Sequence, residues 1–294
     1  MSNLTITELT RVRASRPEAI AEAAARRARR PLLGSSGRLM IVAADHPARG
    51  ALGAGSEPLA MANRFDLLER LCVALERPGV DGVLGTPDVL EDLLLLGALE
   101  GKVVVGSMNR GGLAGASFEL DDRFTGHRAA DIERLRFDAG KLLLRIDMED
   151  PGSLNTMCGT ANAINEMAER GLMTMVEPFI SRRVGGKVRN DLSPEAVTRS
   201  IAIASGLGGT SAYTWLKIPV PGGDVDRIPQ VLEATTLPTV LLGGEVSSDP
   251  EATYERWHKA LQSPNARGLV VGRTLLYPGD GDVEGAVDAA VKLL

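Results

Sequence analysis

Eight short runs rich in Val, Ile and Leu alternate with segments of helical spacing, and this alternation constrains the fold more than any other feature. The runs are Leu39–Asp45, Val80–Gly85, Lys102–Asn109, Lys141–Asp147, Met173–Ile180, Tyr213–Val220, Thr239–Glu245 and Gly268–Arg273. They are continuously apolar instead of alternating apolar with polar, which is the pattern of strands covered on both faces. Thr86-Pro87, Ser193-Pro194 and Asp249-Pro250 each place a capping side chain before a proline at the first helical position. Gly140 and Gly171 follow helical stretches where a left-handed stop is expected. The sequence therefore predicts a single (β/α)8 TIM barrel spanning residues 1–294, with a helical extension over 1–36. An open doubly wound sheet is the alternative, but Ala44-Asp45-His46-Pro47-Ala48-Arg49-Gly50 after the first run contains no Gly-rich dinucleotide fingerprint.

Size and composition agree with one large α/β unit: 294 residues, 44% hydrophobic, can bury a substantial core. A net charge of -5 argues against a nucleic-acid partner. No apolar run approaches the roughly 20 residues of a membrane span, and no secretory h-region opens the chain, so a soluble, cytoplasmic protein is expected. The Ala- and Arg-rich segment Arg11–Arg30 has the look of a transit peptide. Glu18, Glu22 and Pro17 make it read instead as a leading amphipathic helix. Cys72 and Cys158 lack metal-type spacing and are expected to be packed thiols.

In a barrel the C-terminal ends of the strands converge, so residues distant in sequence become neighbours there. The polar residues at those ends are Asp45 and His46 on the first strand, Asn109 and Arg110 on the third, Arg145 and Asp147 on the fourth, Glu177 on the fifth and Lys217 on the sixth. Lys141 lies nearer the start of the fourth. Two of only six lysines, Lys141 and Lys217, thus sit in strand-like apolar runs. An ordinary lysine, with a pKa of ~10.4, holds about 0.04% free amine at neutral pH, and burial or a second cation raises that fraction. The chemistry such a set suits is covalent attack of an amine on a carbonyl, with carboxylates moving protons. A buried Lys217–Glu177 ion pair of purely structural purpose is the plainer reading.

Gly243 and Gly244 end the seventh strand and Gly272 and Arg273 the eighth, where barrels commonly hold phosphate on backbone N–H groups. Tight turns explain the same glycines without a ligand. Arg49, Arg110, Arg145, Arg182 and Arg183 near strand ends suggest a second anionic group on the substrate. The Gly-rich stretch from Gly106 to Gly126 is long for a βα connection and reads as a functional loop. His46, His127 and His258 are scattered without ligand spacing, so no metal is expected. His46 is placed to contact substrate, His127 to start a helix, and His258 on a solvated face.

Asp45 in Ala-Ala-Asp-His-Pro, Lys141 in Gly-Lys-Leu-Leu-Leu, Glu177 in Val-Glu-Pro, Lys217 in Leu-Lys-Ile-Pro, Gly243-Gly244 and Gly272-Arg273, in that order, resemble the class I, Schiff-base aldolases of the deoxyribose-phosphate, archaeal-type fructose-bisphosphate and tagatose-bisphosphate superfamily. The resemblance spans the whole barrel. It implies that Lys217 forms an iminium, that Glu177 and Lys141 assist proton transfer, that Asp45 positions substrate hydroxyls, and that Gly244, Gly272 and Arg273 hold a phosphate. It implies a phosphorylated ketose or keto sugar acid as substrate and no cofactor. The chain departs from the archaeal-type pattern where a tyrosine acid is expected near the end of strand four; Leu144-Arg145-Ile146-Asp147 stands there. Glu177 is the leading base or relay for the hydroxyl proton, with Lys141 and Asp45 as secondary candidates. A phosphosugar isomerase or epimerase using Glu177 as base is one alternative, and a non-catalytic sugar-phosphate-binding barrel is another. A homo-oligomer stays open, since the leading helix and Leu93–Leu96 can bury against another subunit or against the barrel itself.

Overall fold

A computed structural model describes residues 4–244 and 249–294. Nine strands form one sheet: β1 (Leu39–Ala44), β2 (Gly82–Gly85), β3 (Val103–Ser107), β4 (Ala139–Ile146), β5 (Met173–Val184), β6 (Lys187–Asp191), β7 (Thr214–Pro219), β8 (Thr239–Leu242) and β9 (Ala266–Val271). All but β6 are parallel, in the order β4-β3-β2-β1-β9-β8-β7-β5, and β4 pairs with β5 to close the cylinder. The result is a closed eight-stranded barrel wrapped by helices, as the alternation predicts. The sixth, seventh and eighth expected runs are β7, β8 and β9. β8 ends at Leu242, and Glu245, expected at its end, lies outside the described residues.

Side chains alternate between the two faces of each strand. Leu39, Ile41 and Ala43 of β1, Ala139 of β4, Met173 and Met175 of β5, Trp215 of β7 and Val240 of β8 point inward and fill the cylinder. The outward set, including Val42, Val104, Leu142, Leu144 and Leu216, packs under the helices in the larger core. Continuing the inward register two residues toward the C-terminal end brings Asp45, Lys141, Glu177 and Lys217 into the layer above.

The extension before β1 is not one helix. Helices Leu9–Ser15 and Ala19–Arg26 are separated at Arg16 and Pro17, because proline lacks the N–H that would continue the first. The second packs on helix Pro87–Leu96, so Leu93, Leu94 and Leu95 are buried within this chain. The arginines of the extension bind the N-terminal end of the barrel. The Arg27 guanidinium is buried, donates to the backbone oxygens of Lys102 (2.8 Å) and Arg136, and pairs with Asp138 at 3.5 Å.

Other local expectations need revision. Gly140 is no helix stop; it lies inside β4, where a Cβ would approach Met108 Sδ to 2.5 Å. The left-handed residue after helix Ala129–Arg134 is Arg136. Gly171 is left-handed as expected. Ser193 and Asp249 cap their helices, whereas the Thr86 hydroxyl donates to Asp88. Cys158 is exposed, not packed; burial pushes the Cys72 thiol up to about 11. His127 is buried against Phe137, and Arg128 is the residue that precedes the helix.

Candidate active site

The C-terminal mouth of the barrel opens into a cavity of about 650 Å³. Its floor is the charged layer above the apolar core. Glu177 lies between two lysines from its neighbouring strands: Lys217 Nζ of β7 donates to Oε1 at 2.7 Å, and Lys141 Nζ of β4 pairs with Oε2. Lys141 also donates to Asp45 Oδ2 at 3.1 Å, and Arg110 reaches the same oxygen and the Asp45 carbonyl. All five side chains are buried. They carry three positive and two negative charges, leaving one positive charge to be met by an anion or removed as a proton.

The electrostatics follow from that count. Burial alone would raise the Glu177 carboxyl, but Lys141 and Lys217 outweigh it and hold it at about 2. Asp45 is likewise held well below the usual carboxylate range, by Arg110 and then Lys141 against the effect of burial. Burial pulls Lys141 below the ordinary lysine range despite Asp45 and Glu177. A lysine so disposed gives up its proton more readily.

The predicted phosphate residues gather on the β8–β9 side of the mouth, where Gly243, Gly244, Gly272 and Arg273 all line the cavity. Gly272 approaches β1 so closely that a Cβ would sit 2.3 Å from the Ala43 carbonyl oxygen. Arg273 makes only 3.5 Å contacts to the carbonyls of Gly53 and Gly244, its Nε is buried without a partner, and no carboxylate pairs with it among the described residues. Arg256, which sequence reasoning passes over, also lines the cavity and, among the described residues, bonds only the backbone of Pro221 and Gly223. Nothing in its helical, solvated-looking surroundings distinguishes it in the sequence.

The arginines suggested as a second anion site are engaged with the protein's own carboxylates. Arg49 pairs with Asp122, Arg145 with Glu119, Arg183 with Asp150 at 3.2 Å, and Arg110 with Asp45; Arg182 is exposed. Arg49, Arg145 and Arg183 hold the long loop after β3 in place through Gly112, Glu119, Ala116 and Ser117. Ala114 and Glu119 of that loop line the cavity. Asn109 stands apart from the other predicted residues. It is fully buried and does not line the cavity; its amide bonds both backbone groups of Leu143 (2.6 and 2.8 Å), tying the end of β3 to β4.

A further part of the wall was not foreseen. β5 runs four residues beyond its expected end and turns through Gly185-Gly186, both at positive φ, into the antiparallel β6. Val188 and Asn190 of this hairpin line the cavity. A Gly-Gly pair between two polar segments was the available signal.

Fold and mouth together define a (β/α)8-barrel protein with a buried lysine–carboxylate centre. The chain belongs to the Cgl0159-like family, whose pattern matches residues 37–291. The crystal structure of Cgl0159 from Corynebacterium glutamicum is similar at 55% identity and a TM-score of 0.94, covering 98% of this chain and 95% of that one. A Schiff base-forming fructose-1,6-bisphosphate aldolase shares the fold at 20% identity and a TM-score of 0.65, over 93% of this chain and 99% of its own. So does an archaeal fructose-1,6-bisphosphate aldolase whose catalytic lysine is covalently bound to the carbinolamine intermediate, at 18% identity and a TM-score of 0.66, over 93% and 98%. No curated protein matches the chain. No helix among the described residues is long and apolar enough to cross a membrane.

Proposed function

We propose that this protein is a class I aldolase that makes or breaks a carbon–carbon bond in a phosphorylated ketose or keto sugar acid through a Schiff base on Lys217. The observation that carries the reading is the convergence of Lys217 and Lys141 on the two oxygens of one buried carboxylate, Glu177, at the floor of the mouth. Two ammonium groups sharing one carboxylate hold one proton more than the site needs. Lys141, from which burial makes a proton easier to remove, gives up that excess proton to solvent; Glu177 then relays the Lys217 proton to the free Lys141 amine and leaves Lys217 nucleophilic.

The Lys217 nitrogen adds to the substrate ketone, and loss of water from the carbinolamine gives an iminium. This positive nitrogen draws in the electron pair of the breaking carbon–carbon bond, and hydrolysis of the imine releases the second product. Gly243, Gly244, Gly272 and Arg273 are placed to take the phosphate, with Arg256 beside them. The fold shared with Schiff base-forming fructose-1,6-bisphosphate aldolases supports the same reading.

The test is borohydride reduction in the presence of dihydroxyacetone phosphate or a ketose phosphate, read by mass spectrometry of the intact protein and its peptides. A stable adduct on Lys217, absent from Lys217→Met, is expected. Turnover without any adduct would instead favour isomerase chemistry, with Glu177 as base and Lys217 as a fixed cation.

A further inference from the structure

The cavity holds an imidazole that has no task in the scheme above. His46 follows Asp45 at the end of β1, and its side chain lines the cavity with about a third of its surface exposed. Its Nδ1 is buried without a hydrogen-bond partner, and Asp45 Oδ1 stands 3.7 Å away, beyond bonding reach. Asp45 is divided between two duties. Its Oδ2 accepts from both Arg110 and Lys141, which leaves Oδ1 turned toward the imidazole.

The other groups lining the cavity are poorly suited to take a proton from a substrate hydroxyl. Glu119 accepts from Arg145 and from the Gly115 N–H. Both oxygens of Glu177 and Oδ2 of Asp45 are already taken by Lys217, Lys141 and Arg110, and Lys141 is engaged by both carboxylates. His46 is neutral at pH 7. Burial, outweighing the pull of Asp45 on β1, pushes it down to about 3; Arg273 after β9 and Lys217 on β7 act in the same direction, and Glu177 on β5 opposes them. An anion bound at Arg273 removes one of the charges that disfavour the imidazolium, so the base strengthens when a phosphorylated substrate arrives.

Position favours the same role. β9 and β8 lie between β1 and β7 in the barrel wall, so His46 and Lys217 approach a substrate in the mouth from different sides.

We propose that His46 is the base of carbon–carbon cleavage: Nε2 takes the proton of the substrate hydroxyl while Nδ1–H closes onto Asp45 Oδ1, which fixes the tautomer. As the O–H bond breaks, the oxygen pair forms the new carbonyl, and the carbon–carbon pair moves onto the Lys217 iminium to give an enamine. The imidazolium then returns the proton to the enamine carbon before the imine is hydrolysed. This role rests on the Schiff-base reading, and the test separates the two.

Wild type and His46→Ala are compared with whichever of fructose 1-phosphate, fructose 1,6-bisphosphate and tagatose 1,6-bisphosphate gives the most borohydride-trapped adduct on the wild type. His46→Ala is expected to keep the adduct, which also reports an intact fold, while cleavage falls by about 10²–10⁴-fold. Added imidazole and substituted azoles should restore part of the rate, in proportion to their basicity. In the wild type, the acid limb of kcat should lie at higher pH than that of kcat/KM, because the bound phosphate strengthens the base. Cleavage by His46→Ala within about threefold of wild type, loss of its adduct, or a rate indifferent to added azoles overturns the role of His46 alone. A wild type that yields no adduct with any of the three overturns the Schiff-base reading, and this inference with it.

Discussion

Glu177 Oε1 accepts a hydrogen bond from Lys217 Nζ at 2.7 Å, across the neighbouring barrel strands β5 and β7. Lys217→Met removes the proposed nucleophile but leaves Glu177 paired with Lys141. Borohydride trapping and turnover should vanish. The stability loss should stay below the ~3–5 kcal/mol typical of an orphaned buried charge, as urea unfolding would measure.

Glu177→Gln leaves two buried lysines beside a neutral amide. A fall in kcat of about 10²–10⁴-fold is expected, together with slower formation of the trapped adduct.

The same carboxyl makes acid stability predictable. Its value falls from 4.5 to about 2 on folding, so between these values the unfolded chain binds the proton and the folded protein does not. The stabilisation, on the order of 3 kcal/mol, is fully present above about 4.5 and is lost as pH falls through about 2. Denaturant titrations across that window should show a steeper pH dependence for wild type than for Glu177→Gln. An equal slope in the two proteins would contradict the assignment.

Arg273 has no carboxylate partner among the described residues, so its removal orphans no charge among them. Arg273→Ala should weaken a phosphorylated substrate by about 10- to 100-fold in KM, the loss of one or two charge-assisted hydrogen bonds. Thermal stability should barely move. Binding of inorganic phosphate, measured by calorimetry, should fall in parallel.

At the opposite end of the barrel, Arg27→Ala leaves Asp138 and two backbone carbonyls short of a donor. Asp138 keeps Arg29 at 2.8 Å, so the loss is chiefly that of the two carbonyls' donor; a destabilisation of about 1–3 kcal/mol is expected with kcat unchanged, because the contact is remote from the mouth. A change in kcat at unaltered stability would count against this division of roles.

The eight strands and the place of Asp45, Glu177 and Lys217 toward their C-terminal ends were legible in the sequence, because apolar runs and strand position are local properties; the inward phase those residues share with Lys141 was seen only in the barrel. The β5–β6 hairpin was hidden, since its polar residues bear no apolar pattern and only Gly185-Gly186 marks the turn. Gly140 misled because a glycine after a helical stretch serves a left-handed stop and a crowded strand equally well. The single leading helix failed at Arg16-Pro17, where the residue before proline is pushed away from helical angles.

Sequence by itself determined that this chain closes into a parallel barrel and that its few buried lysines and carboxylates belong to one end of it, because hydrophobic periodicity is written residue by residue. Pairing was decided only in three dimensions. That Glu177 is shared by two lysines, that Arg49, Arg110 and Arg145 are already neutralised while Arg256 and Arg273 pair with no carboxylate among the described residues, and that Asn109 serves the backbone of β4 depend on distances of a few ångströms between strands far apart in the chain, which no local pattern encodes.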